Sequence, residues 1–375
     1  MNNWNQYYEQ YKVNNELIWL NNCGTTPIGE YQKKIVFDFL ENYSRHGILT
    51  ESEKYLQLKK TITQIIAKLI NAEDSEIGII HNTSEGMNLI SHELNLNPND
   101  EILLLENEYP SNVYPFEHWK NKSIQINFIP LADTPKKFLE NFLNTISSKT
   151  KYVSLSLVHW CTGMPLPIEE IGKICKQKNI NLIIDGAQGV GLIDVDVKKM
   201  NIDYMSFPAW KWLLGPLGLG IIFVSKKNLQ LNVPIFKGQN SVIQADEYLP
   251  YKSEWKTGAD RYEYSTSSMS DWVYFKSSLF FLQEIGFDKV KKRIYELTNY
   301  LADLARKKGY EIELDKFKEL NTGILSIKHP KIESSDIQLK LKSNKVVSAL
   351  RLGKIRLAPH IYLKEEQLEE VAKLL

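Results

Sequence analysis

The sequence has few cysteines, almost no excess charge of either sign and no long apolar run. Among its 375 residues are three cysteines, and 46 Lys and Arg face 45 Asp and Glu, giving a net charge of +1. Cys23, Cys161 and Cys175 form no C-x-x-C pair and no His/Cys cluster, so their spacing indicates neither a disulfide framework nor a metal site. The balanced charge argues against a surface for nucleic acid or another polyanion.

The sequence also lacks membrane and export signals. No uncharged apolar run reaches the roughly 18 residues of a membrane span. Residues 1–6 are polar and have no apolar segment of the kind found in a signal peptide. Together with unpaired thiols, these absences predict a soluble cytoplasmic protein. The length predicts about two domains and a core large enough to be stable without disulfides.

Between residues 75 and 225, short apolar runs alternate with helical stretches, which is typical of a parallel sheet with helices on both faces. The runs are nearly continuous, as in strands buried on both sides. A helix is predicted over 168–178, where apolar residues recur at helical spacing. The predicted strands are 77–80, 102–105, 152–158, 181–184 and 220–224.

The rest of the chain has a different pattern. Residues 236–268 are polar, aromatic and without periodicity, which indicates a long functional loop. A helix over 271–284, short strands at 323–328 and 345–350, and a helix over 364–375 follow it. This order of elements predicts a second, smaller α+β domain.

Two residues in the first region suggest chemistry. Asp185 stands at the end of a predicted buried strand, where open α/β sheets place their ligands. Lys211 follows in an apolar, tryptophan-rich context. Burial there would lower the lysine pKa and favour the neutral amine that Schiff-base chemistry requires.

The segments around these two residues resemble a known family. D-G-A-Q at 185–188 and K-W-L-L-G-P-L-G-L-G at 211–220 are similar to the pyridoxal 5'-phosphate (PLP) enzymes of fold type I, and more narrowly to the class V aminotransferase and cysteine desulfurase group. The resemblance runs from about residue 18 to the C-terminus. Its other motifs lie at 20–27, 82–86, 108–112, 261–266 and 355–362.

The resemblance implies an α/β fold of two parts. A large PLP-binding domain, 19–240, would contain a mainly parallel, seven-stranded sheet sandwiched by helices. Residues 1–18 and 241–375 would form the smaller α+β domain, with an interface loop at about 236–268. The family also implies a homodimer with active sites at the subunit interface, and an amino acid as substrate.

The resemblance further assigns roles around the cofactor ring. Lys211 would hold PLP as a Schiff base and later move the substrate α-proton. Asp185 would pair with the pyridine nitrogen and keep the ring an electron sink, and Gln188 would hydrogen-bond the phenolic oxygen. Tyr109 fills the position of an aromatic residue that stacks on the ring. Without the neighbouring motifs, such an aromatic residue is more often part of a core or rim.

The cofactor phosphate would lie at Thr83 and Ser84, at the start of a predicted helix whose N–H groups favour anions. Taken alone, this segment is simply a helix cap with an acidic residue in the first turn. Thr266 would reach the phosphate of the neighbouring subunit.

Five residues are implied in or beside the substrate site: Asn22, Thr25, His159, Trp160 and Arg356. Arg356 would bind the substrate carboxylate, since its guanidinium is planar and bidentate. Asn22 and Thr25 lie in an N-terminal loop that approaches the substrate. His159 is either a satisfied histidine at a strand end, our default interpretation, or a substrate contact.

The chain departs from the family pattern in three places. Pro208-Ala209-Trp210 replaces the usual S-x-H before the lysine, so Ser206 is a candidate for the missing phosphate contact. Trp210 then lies at the cofactor in place of a proton-carrying histidine, which leaves proton transfer to Lys211. Trp160 replaces an asparagine and makes the pocket more apolar. Residues 321–356 contain no cysteine, which argues against desulfuration through a persulfide.

These features predict a PLP-dependent enzyme acting on an amino acid after removal of its α-proton. Transamination is favoured, β-elimination of the C–S lyase type is the alternative, and racemisation stays open, because the outcome depends on the orientation of substrate bonds. A hypothesis of another class is a non-catalytic ligand-binding or regulatory protein on the same fold.

Overall fold

The computed structural model describes residues 4–48, 52–317 and 320–375. Its strands are β1 (Ile18–Trp19), β2 (Ile77–Ile80), β3 (Glu101–Leu105), β4 (Gln125–Ile129), β5 (Thr150–Ser156), β6 (Asn181–Asp185), β7 (Tyr204–Pro208), β8 (Gly220–Val224), β9 (Glu311–Ile312), β10 (Leu325–Lys328), β11 (Val346–Val347), β12 (Ala349–Arg351) and β13 (Lys354–Leu357). Its α-helices are α1 (Asn5–Glu9), α2 (Glu30–His46), α3 (Ser52–Ile70), α4 (Thr83–His92), α5 (Pro135–Thr145), α6 (Ile168–Gln177), α7 (Lys226–Leu231), α8 (Met269–Ile285), α9 (Phe287–Lys307), α10 (Ser334–Ser343) and α11 (Glu365–Leu374).

Seven strands form one large sheet in the order β2-β8-β7-β6-β5-β3-β4. Neighbouring strands are parallel except at β8, which runs antiparallel to both β2 and β7. Both faces are covered: Leu103 and Leu105 pack in one apolar cluster, and Ile102 and Leu104 pack in a second. This explains the continuous apolar runs in the sequence and confirms the predicted α/β fold class.

The C-terminal part forms a four-stranded antiparallel sheet in the order β12-β13-β10-β9. Helices α9 and α10 pack against it, and α11 packs against both of these helices. Strand β1 pairs in parallel with β11 in a separate two-stranded sheet, with Ile18 opposite Val346, so the N-terminal segment is joined to the C-terminal part. The predicted domain limits stay a prediction, and residues 1–3 of the predicted small domain lie outside the described residues.

The structure refines two details of the sequence prediction. The segment predicted as one strand at 345–350 is divided into β11 and β12. The predicted loop at 236–268 contains two short 3-10 turns, at Gln239–Ser241 and Ala259–Tyr262, and otherwise no helix or strand. None of the described helices is long and apolar enough to traverse a bilayer; the cellular compartment stays a prediction.

Candidate active site

A cavity of about 560 Å³ lies at the carboxyl ends of the parallel strands. This is where open α/β sheets bind their ligands. Most of the predicted site residues line it, although they come from distant parts of the chain: Thr83, Ser84, Tyr109, Trp160, Asp185, Gln188, Trp210, Lys211 and Arg356. Five predicted site residues do not line it: Asn22, Thr25, His159, Ser206 and Thr266.

Lys211 and Asp185 are the charged pair in the floor of this cavity. Burial lowers the pKa of Lys211 to about 8, while the negative charge of Asp185 opposes that shift. Burial raises the pKa of Asp185, against the charge of Lys211 and a hydrogen bond of 2.8 Å from the Ala187 N–H. The amine lies 5.9 Å from the centre of the Tyr109 ring. A lysine of this kind is partly neutral near physiological pH, as an attacking amine must be.

A second buried carboxyl group supports this floor. Glu108 accepts hydrogen bonds from the N–H groups of Tyr109 (2.8 Å) and Ser156 (3.0 Å), and Ser156 is the strand partner of Asp185. Burial and, secondarily, the charge of Asp185 raise the pKa of Glu108 to about 7. The sequence analysis assigned no role to this residue; its position in the same motif as Tyr109 was the available signal.

The first turn of α4 forms one end of the cavity. Asn82 caps the helix by accepting the Glu85 N–H at 2.9 Å. Thr83 is 7% exposed, and its Oγ1 has no hydrogen-bond partner among the described residues. The Ser84 hydroxyl lies 2.6 Å from that of Ser111. An orphaned hydroxyl beside free helix N–H groups fits a phosphate.

Two glycines allow α4 to begin so close to the sheet. A Cβ on Gly86 would lie 2.2 Å from Ser206 Oγ, and a Cβ on Gly220 would lie 2.9 Å from Asn82 Cα. Ser206 itself is fully buried in β7, where it faces α4, and its hydroxyl donates to the Ile221 carbonyl at 3.1 Å. The structure therefore does not bring Ser206 to the cavity, and its contact with phosphate stays a prediction.

The N-terminal loop holds the lysine from the other side. Asn22 donates to the Lys211 carbonyl at 3.3 Å and accepts from the Tyr362 hydroxyl at 2.9 Å. Gln188 donates to the Cys23 carbonyl at 2.8 Å. Thr25 lies behind this loop, where its carbonyl accepts the Trp19 indole N–H at 2.9 Å. Asn22 thus contacts the lysine backbone, and its predicted contact with substrate, like that of Thr25, stays a prediction.

Arg356 and two aromatic residues form the opposite wall. Arg356 is buried; it donates from Nη1 to the Trp160 carbonyl at 2.5 Å, and its Nε has no partner among the described residues. Its guanidinium carbon lies 6.0 Å from the Trp160 ring centre. The rings of Trp160 and Tyr109 meet edge to face at 5.6 Å. This arrangement suits an anionic group held beside an apolar wall.

His159 lies behind this wall, with its ring near Thr162 Oγ1 (3.0 Å) and the Asn107 carbonyl (3.1 Å). Burial lowers its pKa to about 4, so the ring is neutral at physiological pH. These contacts match our default interpretation of a satisfied histidine. Thr266 is exposed and lies outside the cavity of its own chain. In the described ranges, no group of three or more His, Cys, Asp or Glu side chains is arranged to hold a metal ion.

The sequence analysis missed several residues that line the cavity. Asn82, Ser111 and Cys23 lie within motifs that it quoted. Arg351 lies in no such motif, and only its pairing in the β12–β13 hairpin brings it to the cavity. An alternation of charged and apolar residues over 349–356 was the signal for that hairpin.

Comparison with known proteins finds relatives that are named as enzymes of carbon–sulfur bond cleavage. A probable cysteine desulfurase of Pyrococcus abyssi (strain GE5 / Orsay) is 26% identical over 378 residues, covering 94% of this chain and 92% of that protein. The apo structure of a cysteine desulfurase from Thermococcus onnurineus NA1 has a TM-score of 0.84 at 19% identity, covering 98% of this chain and 96% of the other. A cystine C–S lyase in complex with cysteine persulfide has a TM-score of 0.85 at 22% identity, covering 96% and 97%. The two solved structures share the fold.

The family model for class-V aminotransferases matches residues 18–370, which is most of the chain. This family uses PLP, so the predicted family, enzyme class and cofactor are all confirmed. The chain belongs to the class V aminotransferase family of PLP-dependent enzymes.

Proposed function

We propose that the protein catalyses β-elimination from a cysteine-derived amino acid, cleaving the Cβ–S bond without forming a persulfide on the protein. The relatives named above are cysteine desulfurases and a cystine C–S lyase, and both names describe cleavage of a carbon–sulfur bond. Transamination, which the sequence favoured, is the second candidate.

The observation that carries the proposal is the β12–β13 hairpin. Only Leu352 and Gly353 connect its strands, with φ values of 46° and 73°, as in a tight two-residue turn. In the desulfurase pattern, a mobile loop with a nucleophilic cysteine precedes the substrate arginine. Here a short, regular hairpin without cysteine occupies that place.

The cysteines elsewhere are poor substitutes for such a nucleophile. Cys23, Cys161 and Cys175 are each 1% exposed. Burial raises the pKa of Cys161 and raises that of Cys175 to about 12. Since the thiolate is the reactive form, these two residues are inert near neutral pH.

The residues of the cavity fit PLP. Thr83, Ser84 and the N–H groups of α4 would hold the phosphate, Asp185 would pair with the ring nitrogen, and Tyr109 would cover one face of the ring. When bound, PLP supplies an electron sink that stabilises negative charge at the substrate α-carbon.

The protein side chains then supply binding and proton transfer. Arg356 binds the α-carboxylate and so fixes the direction of the Cα–H and Cβ–S bonds. Lys211, with its lowered pKa, takes the α-proton and keeps it close to the departing sulfur. Trp210 offers no titratable group, which leaves both proton movements to Lys211.

Product analysis tests the proposal. The purified holoenzyme is incubated with L-cystine and with S-alkyl-L-cysteines, and pyruvate, ammonia and released thiol are measured while the visible cofactor band is followed. We expect pyruvate and ammonia in equal amounts with the band retained, together with one equivalent of thiol from S-alkyl-L-cysteines or of cysteine persulfide from L-cystine, and no product from Lys211→Ala. A band that bleaches while a keto acid with the intact side chain forms would establish transamination instead.

We also propose that the active form is a homodimer. Thr266 is exposed, as expected of a residue that acts on a second subunit. Six large apolar side chains are also exposed in the preceding segment of the chain: Val233, Ile235, Phe236, Tyr248, Leu249 and Tyr251. Such surface is typical of an interface.

Mixing two inactive variants tests the dimer. If Thr266 acts in trans, a hybrid of Lys211→Ala and Thr266→Ala subunits contains one site with both native residues. After joint refolding, activity should then exceed the sum of the separate variants. Activity equal to that sum, or a monomer by light scattering, would contradict the proposal.

A further inference from the structure

We infer that Glu108 is a positioning residue for the cofactor ring nitrogen and acts through Asp185. Its negative charge strengthens the pairing of Asp185 with the protonated nitrogen, although Glu108 itself does not line the cavity. This role depends only on the use of PLP by the family, so it applies equally to elimination and to transamination.

Glu108 lies where three segments of the chain meet. Its carboxylate accepts hydrogen bonds from the N–H groups of Tyr109 at 2.8 Å and Ser156 at 3.0 Å, and from the Asn112 amide at 3.5 Å. Ser156 ends β5 and lies opposite Asp185 in β6, and adjacent strands are only about 4.8 Å apart. One carboxylate therefore connects the backbone of Tyr109 to the strand position beside Asp185.

The hydrogen bonds alone do not account for a carboxylate at this position. A neutral side-chain oxygen accepts N–H groups equally well, whereas a buried carboxylate without a cation is costly. Glu108 is 7% exposed, and no ion pair among the described residues includes it. The charge of Glu108, more than its hydrogen bonds, therefore requires an explanation.

Two buried carboxyl groups share a single cation in this part of the site. The charged group that acts on Glu108 is Asp185 from β6, and Lys211 in turn acts on Asp185; the other groups in contact with Glu108 are the neutral donors named above. Burial and, secondarily, the charge of Asp185 raise the pKa of Glu108 to about 7, so the carboxyl group is ionised in mildly alkaline solution. Lys211 loses its charge in that range because burial lowers its pKa to about 8. The protonated ring nitrogen of PLP would supply the positive charge that the two carboxylates then lack.

The direction of the effect follows from these charges. Loss of the proton from the ring nitrogen would leave Asp185 without a positive partner beside a second carboxylate, so the charge of Glu108 opposes that loss. Between unit charges in a partly buried site, such an interaction changes an equilibrium by about tenfold or more. Glu108 should therefore favour a ligand with a protonated ring nitrogen over one without it.

Two ligands that differ only at the ring nitrogen test this role: PLP and deaza-PLP, in which a C–H group replaces that nitrogen. Both compete for the apoenzyme at about pH 8.5, where Glu108 is ionised, and the ratio of their Kd values is measured. Wild type should prefer PLP, and Glu108→Gln should reduce this preference by about tenfold. Because both ligands have the phosphate, aldehyde and phenol groups, changes at the phosphate site, at Lys211 or in ring stacking cancel in the ratio.

Two control variants and a second pH accompany this experiment. Glu108→Asp keeps the charge, so its preference should stay close to that of wild type even if both ligands bind more weakly. Glu106→Gln removes a negative charge from an exposed position outside the cavity, and its preference should equal that of wild type. At about pH 6 the wild-type Glu108 takes up a proton, so the difference between wild type and Glu108→Gln should shrink; titration of the free ligands affects both proteins equally.

A merely structural Glu108 would give a different result. Its replacement would weaken both ligands by the same factor and leave the preference for PLP unchanged, and that outcome would overturn the inference. So would an equal loss of preference in Glu106→Gln. Circular dichroism establishes that each variant folds, and Glu108→Ser, which also removes the charge, replaces Glu108→Gln if that variant does not fold.

These binding ratios are independent of the proposed function, because no turnover is measured. If product analysis shows transamination in place of elimination, the proposed function is wrong, yet a loss of preference in Glu108→Gln would still support the role of Glu108. Conversely, an unchanged preference would remove this role and leave the proposed elimination intact.

Discussion

The hydroxyl of Thr83 tests the phosphate site, because its removal should have opposite effects on the stability of the apoenzyme and on the binding of PLP. The side chain is 7% exposed, and its Oγ1 has no partner among the described residues. Thr83→Val has almost the same shape and removes only this polar atom. We therefore expect the variant to stabilise the apoenzyme and to weaken binding of PLP.

The sizes of the two effects follow from the burial. An unpaired buried hydroxyl costs about 1–3 kcal/mol, and its removal recovers at least about 1 kcal/mol, because valine and threonine have nearly equal helix propensities. For a chain of 375 residues this raises the melting temperature of the apoenzyme by about 1 °C. A hydrogen bond to a charged phosphate is worth about 1.5–3 kcal/mol, so PLP should bind about 10- to 150-fold more weakly.

The assay is titration of the apoenzyme with PLP and with pyridoxal, which lacks the phosphate, followed by absorbance and by thermal unfolding. Thr83→Val should lose affinity for PLP but not for pyridoxal, and Thr83→Ser should retain most of the affinity for PLP. Equal weakening of both ligands would refute the assignment of Thr83 to the phosphate. So would a variant apoenzyme less stable than the wild type by more than about 1 kcal/mol.

Three further predictions test the rest of the structure. Gly86→Ala should weaken PLP binding and lower the melting temperature, because its Cβ would lie 2.2 Å from Ser206 Oγ; Ser206→Gly in the same chain should restore both, and no rescue would contradict the packing. The rate at which PLP reconstitutes the apoenzyme should rise with pH and level off above about pH 9, because burial lowers the pKa of Lys211 to about 8 and only the neutral amine reacts; a rise that continues to pH 10 would argue against this value. Burial raises the pKa of Glu93 to about 7, so its stabilising contribution is complete below the pKa that Glu93 has in the unfolded chain and is lost as the pH rises through 7. Glu93→Gln should reduce the fall in stability between pH 5 and 8, by about 3 kcal/mol at most. If chemical denaturation gave the same pH profile for the variant and the wild type, the Glu93 carboxyl group would not be responsible for that fall.

The sequence predicts the central part of the fold well because burial on both faces leaves a continuous apolar run. Strands β3, β5, β6 and β8 have such runs and were predicted. In the edge strand β4 only Ile129 is buried, and its sequence shows no such run. Strand β7 is fully buried, but it contains Ser206 and Pro208, which interrupt the apolar run, and the sequence analysis did not predict it.

In the candidate site, most residues within continuous motifs were predicted, whereas residues placed by contacts between distant segments were not. Asp185 and Lys211 belong to continuous motifs, and the structure brings both to the cavity. Arg351 depends on the pairing of two strands, which a motif does not record. Ser206 was expected near the phosphate from its position in the chain, but close packing of Gly86 places it behind α4. This packing joins two segments that are distant in the sequence, so the sequence alone does not reveal it.

The position of β6 in the large sheet has a consequence for local opening of the protein. Three strands lie on each side of β6, so Asp185 is as far as possible from both edges, and its strand amides should exchange with solvent hydrogen only through the largest unfolding events. The β12–β13 hairpin, at the edge of the small sheet, should exchange through much smaller openings. The part of the site that would face the cofactor is therefore held rigid, while the part that would meet the substrate is free to adjust.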